Sequence, residues 1–256
     1  MSTQHPLAVV TGASRGIGLA IARRLAQDHD LLLCARDPQR LQDAIRGPLS
    51  EANVVAFSAV DLSTRAGVQE LLTTVQSLGR GVRVLVNNAG IAASASIARS
   101  DDDLFDRLLA INARAPFALT RALLPGMIAG GGGRVINIAS TAALKGYAYT
   151  AAYSASKAAV LGWTRALAVE VATSGVTINA LCPGFTDTDI ASDAIATIQR
   201  TTDRNADEAR TSLARFSPQR RLLAPAEIAE FVAFIASPAA SAINGQALAI
   251  DGGETA

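Results

Sequence analysis

Cysteine and histidine are scarce in this chain, with 2 of each among 256 residues. Cys34 and Cys182 lack metal-ligand spacing, His5 stands in the N-terminal tail, and His29 falls between two predicted elements. A disulfide scaffold, a zinc site and a histidine-activated nucleophile are therefore not expected. Both cysteines lie in apolar runs and read as core packing in a reducing compartment. Neither sign of charge is in excess: 23 Lys and Arg stand against 22 Asp and Glu, a formal charge of +1. That balance supplies no electrostatic reason to expect nucleic acid or an anionic membrane as partner. The apolar residues are dispersed rather than gathered into a span, and the charge-free stretch 171–186 is broken by Asn179, Pro183 and Gly184. The stretch MSTQHPLAVVTGAS has no basic region followed by an apolar one, so the expectation is a soluble, cytoplasmic protein.

Hydrophobic residues nevertheless make up 50% of the chain, enough for the core of a single α/β domain. Short apolar runs at 7–10, 31–35, 54–58, 84–86, 135–138, 177–181 and 247–250 read as strands. Most are apolar on consecutive residues, as in parallel strands covered on both faces. Helix-length segments at 16–27, 38–46, 64–78, 101–114 running on to 128, 152–172 and 225–236 alternate with them. This alternation predicts a single-domain, doubly wound (Rossmann-type) α/β fold with a parallel sheet and helices on both faces. Ligands of such sheets bind beyond the carboxyl ends of the strands. Special residues mark those ends: Thr11-Gly12, Arg36, Asp61, Asn87-Asn88-Ala89-Gly90, Ser140 and Pro183-Gly184. The segment 186–224 is polar and long for a connection, with helical character at 190–200 and 207–216, and is expected to be a substrate lid. The glycines at 130–133 precede a strand and read as a flexible turn.

The first strand runs into Thr11-Gly12-Ala13-Ser14-Arg15-Gly16-Ile17-Gly18 and then an apolar-periodic helix. Glycines allow a sharp turn and close approach of phosphate, and the helix N-terminus offers free N–H groups. The spacing is neither the common dinucleotide fingerprint nor a P-loop. Tyr153 and Lys157 stand four residues apart in an Ala-rich helical stretch, on one face. No G-x-S-x-G elbow is present, and no histidine is placed for a triad.

TGASRGIG at 11–18 with NNAG at 87–90 resembles the short-chain dehydrogenase/reductase superfamily. The likeness continues through Asn112, Ser140, the run Tyr153-Ser154-Ala155-Ser156-Lys157, Pro183-Gly184 and the terminal Ile250-Asp251-Gly252-Gly253. It spans essentially the whole chain and implies a reversible carbonyl reduction. Tyr153 would be the general acid/base, Ser140 would polarise the carbonyl, Lys157 would lower the Tyr153 pKa, and Asn112 would support a water relay. The resemblance also implies cofactor contacts from Gly12, Ser14, Arg15, Gly16, Ile17, Gly18, Asp61, Leu62, Asn88, Ala89, Gly90, Tyr153, Lys157, Pro183, Gly184, Thr186 and Thr188. At the end of the second strand an Arg pairs with a ribose 2′-phosphate where an Asp would favour the free 2′-OH. Arg36 stands there, with Arg15 as a second cation and Asp37 as a neighbour able to blur the choice, so the expected cofactor is NADPH/NADP+.

The substrate pocket is expected along 92–97, 141–150, Phe185 and the lid, mostly small and apolar with Tyr147, Tyr149 and Phe216 as bulk. That suits a neutral ketone or secondary alcohol. Arg200, Arg204, Arg210, Arg215, Arg220 and Arg221 give the lid either a solvated face or a phosphate-docking surface. Appearance is closest to 3-oxoacyl thioester reductases, acting on acyl-CoA or acyl-carrier-protein thioesters. A general ketone reductase is the alternative. Relatives are commonly homotetramers, with the Tyr-bearing helix and the C-terminal strand region at interfaces.

Overall fold

The structure is a computed structural model that describes residues 5–256. The first four residues of the N-terminal stretch read above lie outside it. The chain runs β1 (Leu7–Thr11), α1 (Gly16–Leu25), β2 (Asp30–Ala35), α2 (Pro38–Arg46), β3 (Val54–Ala59), α3 (Arg65–Ser77), β4 (Val82–Asn87). It continues through α4 (Asp102–Leu109), α5 (Ala115–Ala129), β5 (Gly133–Ile138), α6 (Ala151–Glu170), β6 (Val176–Pro183) and α7 (Asp189–Thr201). It closes with α8 (Ala206–Ala214), α9 (Pro225–Ala236) and β7 (Ala247–Ile250). The strands form a parallel seven-stranded sheet in the order β3-β2-β1-β4-β5-β6-β7. The order reverses between β1 and β4, which places the ligand crevice beyond Thr11 and Asn87.

Consecutive apolar residues arise because both faces of the sheet are covered. Ala8, Val10, Leu31, Leu33, Val84, Val86 and Ile136 pack under α1, α2 and α9, while Leu7, Val9, Leu32, Leu85, Val135 and Ile178 pack under α3, α5 and α6. Cys34 and Cys182 are free thiols buried in these layers.

The long helical segment expected from 101 to 128 is two helices. A π-helical turn, Ala110–Arg114, joins α4 to α5. Such a turn inserts an extra residue into the helical spacing, and Asn112 sits in it, buried. The 130–133 glycines make the expected turn, with φ of +80° at Gly131 and +127° at Gly132. Two helices, α7 and α8, form within the predicted lid, and Thr186 bridges Leu223 at its base. Among the described residues no helix is long and apolar enough to cross a membrane.

Candidate active site

The glycine turn is shaped by close contact with the end of β4. Gly12 has φ +67°, and a Cβ there would lie 2.7 Å from Asn88 Nδ2 and 3.0 Å from Ala89 Cα. At Gly18 a Cβ would lie 2.1 Å from the Gly12 carbonyl oxygen. Thr11 Oγ1 accepts from the backbone N–H groups of Asn88 and Ala89 at 3.0 Å each. Asn88 Nδ2 donates to the carbonyls of Thr11 and Gly12 at 3.0 and 3.2 Å. These bonds pin the β1 and β4 ends together at the crevice. Among the described residues no side chain caps the N-terminus of α1, so its first N–H groups stay available to an anion. The bare glycine backbone and open donors fit a dinucleotide diphosphate. Ser14 and Ile17 lie in the same turn, half-buried.

Cations gather beside this turn. Arg36 is exposed at the end of β2, and Asp37 is committed elsewhere: it caps α2, accepting from the Arg40 N–H at 3.1 Å. Arg15 is ion-paired with Asp189. Asp61 is held below the usual carboxylate range by hydrogen bonds from the Ser63 side chain and backbone, helped by Arg36. The cap of α3 is Thr64 rather than Asp61. Leu62 is packed in the core, so only its backbone can face the crevice.

Ser140 follows β5, and α6 brings Tyr153 and Lys157 to it. The Ser140 hydroxyl faces the Tyr153 phenol closely enough to work toward lowering its pKa. Lys157 Nζ lies 6.0 Å from the centre of the Tyr153 ring and donates to the Ile138 carbonyl at 2.8 Å. Asn112 Oδ1 accepts from the Ile91 N–H, and its Nδ2 donates to the Ile91 carbonyl, each at 2.9 Å. Asn112 Nδ2 also reaches Ser156 Oγ at 3.0 Å, and Ser156 donates to the Tyr153 carbonyl at 2.7 Å. Gly90 lies where a Cβ would meet Asn112 Oδ1 at 2.9 Å and Lys157 Nζ at 3.4 Å. The four residues expected in catalysis are thus brought together.

The electrostatics differ from expectation. Burial raises the Tyr153 pKa, against the opposing effect of the Ser140 hydroxyl, and burial lowers Lys157 to about 8. Two enclosed groups each resist charge, and burial rather than the ammonium sets the direction at Tyr153.

β6 ends at Pro183, and Gly184 follows with its Cβ position 3.1 Å from Glu254 Oε2. Thr186 is buried and donates to the Gly184 carbonyl at 3.0 Å. Thr188 begins α7, and its Cγ2 lies 3.2 Å from the Cβ position of Gly16. Tyr147 packs edge-on against Phe185 and Phe216, with centroids 6.3 and 5.7 Å away. The wall is not purely apolar. Tyr147 donates to the buried carboxylate of Glu254, which lies 3.5 Å from Lys145 Nζ. Tyr149 is instead exposed, in a left-handed conformation with φ +67°. In the lid, Arg210 makes a two-pronged pair with Asp187, and Arg221 another with Glu227.

Several positioning residues were not foreseen. Asn137 accepts from Asn87 at 2.8 Å and donates to Thr164 on α6 at 3.0 Å, and Asn87 also donates to Thr120 on α5 at 3.2 Å. A polar Asn inside the apolar run 135–138 was the available signal. Glu254 offered none beyond its place near the C-terminus.

The short-chain dehydrogenase family model matches residues 6–199. The chain belongs to that family. The 3-oxoacyl-acyl-carrier-protein reductase FabG of Vibrio cholerae is 36% identical over 253 residues, covering 99% of this chain and 98% of its own. The solved actinorhodin polyketide ketoreductase with NADPH aligns at a TM-score of 0.94 and 34% identity, over 100% of this chain and 99% of its own. L-sorbose reductase of Gluconobacter frateurii, complexed with NADPH and L-sorbose, aligns at 0.90 and 34% over 97% and 96%. As a short-chain dehydrogenase, this chain is an oxidoreductase acting between carbonyl and alcohol.

Proposed function

We propose that this chain reduces the ketone of a 3-oxoacyl thioester, on CoA or an acyl carrier protein, with NADPH. The observation that carries the reaction class is the cluster of Ser140, Tyr153 and Lys157 closed from behind by Asn112. When bound, the nicotinamide supplies hydride to the carbonyl carbon. Tyr153 delivers a proton to the carbonyl oxygen, and its raised pKa keeps that proton on at neutral pH. Ser140 donates to the same oxygen as negative charge develops there. Lys157 would hold the nicotinamide ribose and replace the Tyr153 proton. Asn112, its side chain committed to Ile91 and Ser156, fixes the turn that a water relay would cross.

For the cofactor, Gly12 through Gly18 would cradle the diphosphate. Asn88, Ala89 and Gly90 would line its floor, with Pro183, Gly184, Thr186 and Thr188 opposite and Asp61 with the Leu62 backbone at the adenine. Arg15 and Arg36 favour a 2′-phosphate, while Asp37 is engaged at Arg40, capping α2 through Oδ1 and lying 3.5 Å from Arg40 Nε through Oδ2. Replacing Arg36 by Asp is expected to reverse the preference for NADPH over NADH.

The thioester reading draws on the FabG relative. One observation favours the second reading, a general ketone reductase: Arg210 and Arg221 are held by Asp187 and Glu227 and so are poor phosphate docks. Specificity constants for acetoacetyl-CoA and an uncharged aryl ketone separate the two. A clearly higher value for the thioester supports the first, and preference for the simple ketone replaces it with the second. The buried free thiols suit the cytoplasm. A homotetramer is proposed on the apolar groove of Phe117, Leu124, Ile128 and Leu167 between α5 and α6, checked by light scattering.

A further inference from the structure

The start of α7 rests on the glycine turn, since the Thr188 methyl lies 3.2 Å from the Cβ position of Gly16. The next residue, Asp189, sends Oδ2 to Arg15 of that turn, and the same oxygen lies 3.6 Å from Arg40 Nη1. Arg40 belongs to the first turn of α2, four residues beyond Arg36. Asp189 therefore joins two guanidinium groups beside the C-terminal end of β2, and on its other edge Arg40 Nε lies 3.5 Å from Asp37 Oδ2. The Arg15, Asp189 and Arg40 side chains are 50%, 53% and 55% exposed, so a solute anion can reach them.

This is where a ribose 2′-phosphate would stand, and a phosphate with more charge and more acceptor oxygens is the better partner for two guanidinium forks. Resting on the NADPH reading, we propose that Asp189 is a built-in competitor of the 2′-phosphate and that Arg40 is a further phosphate-binding arginine beside Arg15 and Arg36. Phosphate entry displaces Asp189 from the arginines and frees the first turn of α7. A cofactor without the phosphate leaves Asp189 in place. The acid thus sets how strongly the protein discriminates between the two dinucleotides, and couples that choice to the lid.

The test is calorimetric titration of the intact protein with adenosine 2′,5′-bisphosphate and, in parallel, 5′-AMP. Wild type is compared with Asp189→Asn, Asp189→Ser, Arg40→Gln and Arg36→Asp, each first checked for a native melting transition. Exposed ion pairs contribute up to about 1 kcal/mol, so removing the competitor should tighten the bisphosphate by up to about fivefold, and Arg40→Gln should weaken it by up to about the same factor. Affinity for 5′-AMP should stay unchanged in both. Amide exchange in the first turn of α7 should rise with the bisphosphate and not with AMP. If Arg36→Asp abolishes bisphosphate preference while the Asp189 or Arg40 variants leave it unaltered, the NADPH reading stands and this proposal is overturned. If wild type fails to prefer the bisphosphate, both fall.

Discussion

At Lys157, burial and chemistry pull in opposite directions. The proposed reaction uses the ammonium, yet burial lowers its pKa to about 8. Tyr153, raised by burial, keeps its proton well past that point. The first group lost as pH rises is therefore Lys157. The kcat/KM for ketone reduction is expected to fall as pH passes about 8, and Lys157→Arg, with a cation that does not titrate there, should move that limb upward. A pH profile of initial rates checks both. At Gly18 the constraint is steric. Alanine would put a carbon 2.1 Å from the Gly12 carbonyl oxygen, so Gly18→Ala is expected to weaken nucleotide binding more than tenfold and lower the melting temperature. The Tyr153–Lys157 spacing and the glycine turn were legible in the residues themselves, whereas the place of Ser140 and Asn112 beside them was expected only from the family resemblance. The reversed pKa of Tyr153 was not legible, because it depends on how deeply folding encloses the phenol.

Among the elements, the π turn at Ala110–Arg114 most clearly exceeds what pattern reading resolves. Apolar periodicity continues across it, so the sequence reads as one helix. The extra residue places Asn112 where its amide satisfies both backbone groups of Ile91 and reaches Ser156 under Tyr153. Asn112→Ala removes those partners and is expected to destabilise by about 1–3 kcal/mol, read from denaturant unfolding. Turnover should fall further than the folded fraction. The strands were found with ends off by one or two residues, since Thr11, Asp30 and Asn87 are polar yet hydrogen-bonded into the sheet. Within the lid both helices were anticipated, but the pairing of Arg210 with Asp187 and Arg221 with Glu227 was not. Arg221 and Glu227 are six residues apart and Arg210 and Asp187 twenty-three, so no helical spacing joins them.

For the molecule as a whole, the parallel sheet was readable from strand–helix alternation, whereas its strand order and the ties between distant segments were not. Asp30, buried at the start of β2, meets Arg80 from the α3–β4 connection at 2.8 Å and Asn53 at 2.7 Å. Burial works to raise its pKa, but Arg80 and Asn53 outweigh it and hold the carboxyl below its ordinary value. A depressed folded pKa contributes stability above the unfolded value, lost as pH falls through the folded one. Asp30→Asn should therefore lower stability by about 2 kcal/mol at pH 7, with the gap to wild type closing below about pH 4 in thermal scans. Tyr153 is proposed as the proton donor of an NADPH-dependent ketone reduction. That role is tested most directly by the rate of NADPH oxidation with acetoacetyl-CoA in wild type and Tyr153→Phe, with NADPH affinity measured alongside. A loss of about 10²–10⁴-fold in rate at unchanged affinity is expected. Turnover retained by Tyr153→Phe, or lost only in proportion to NADPH binding, would contradict it.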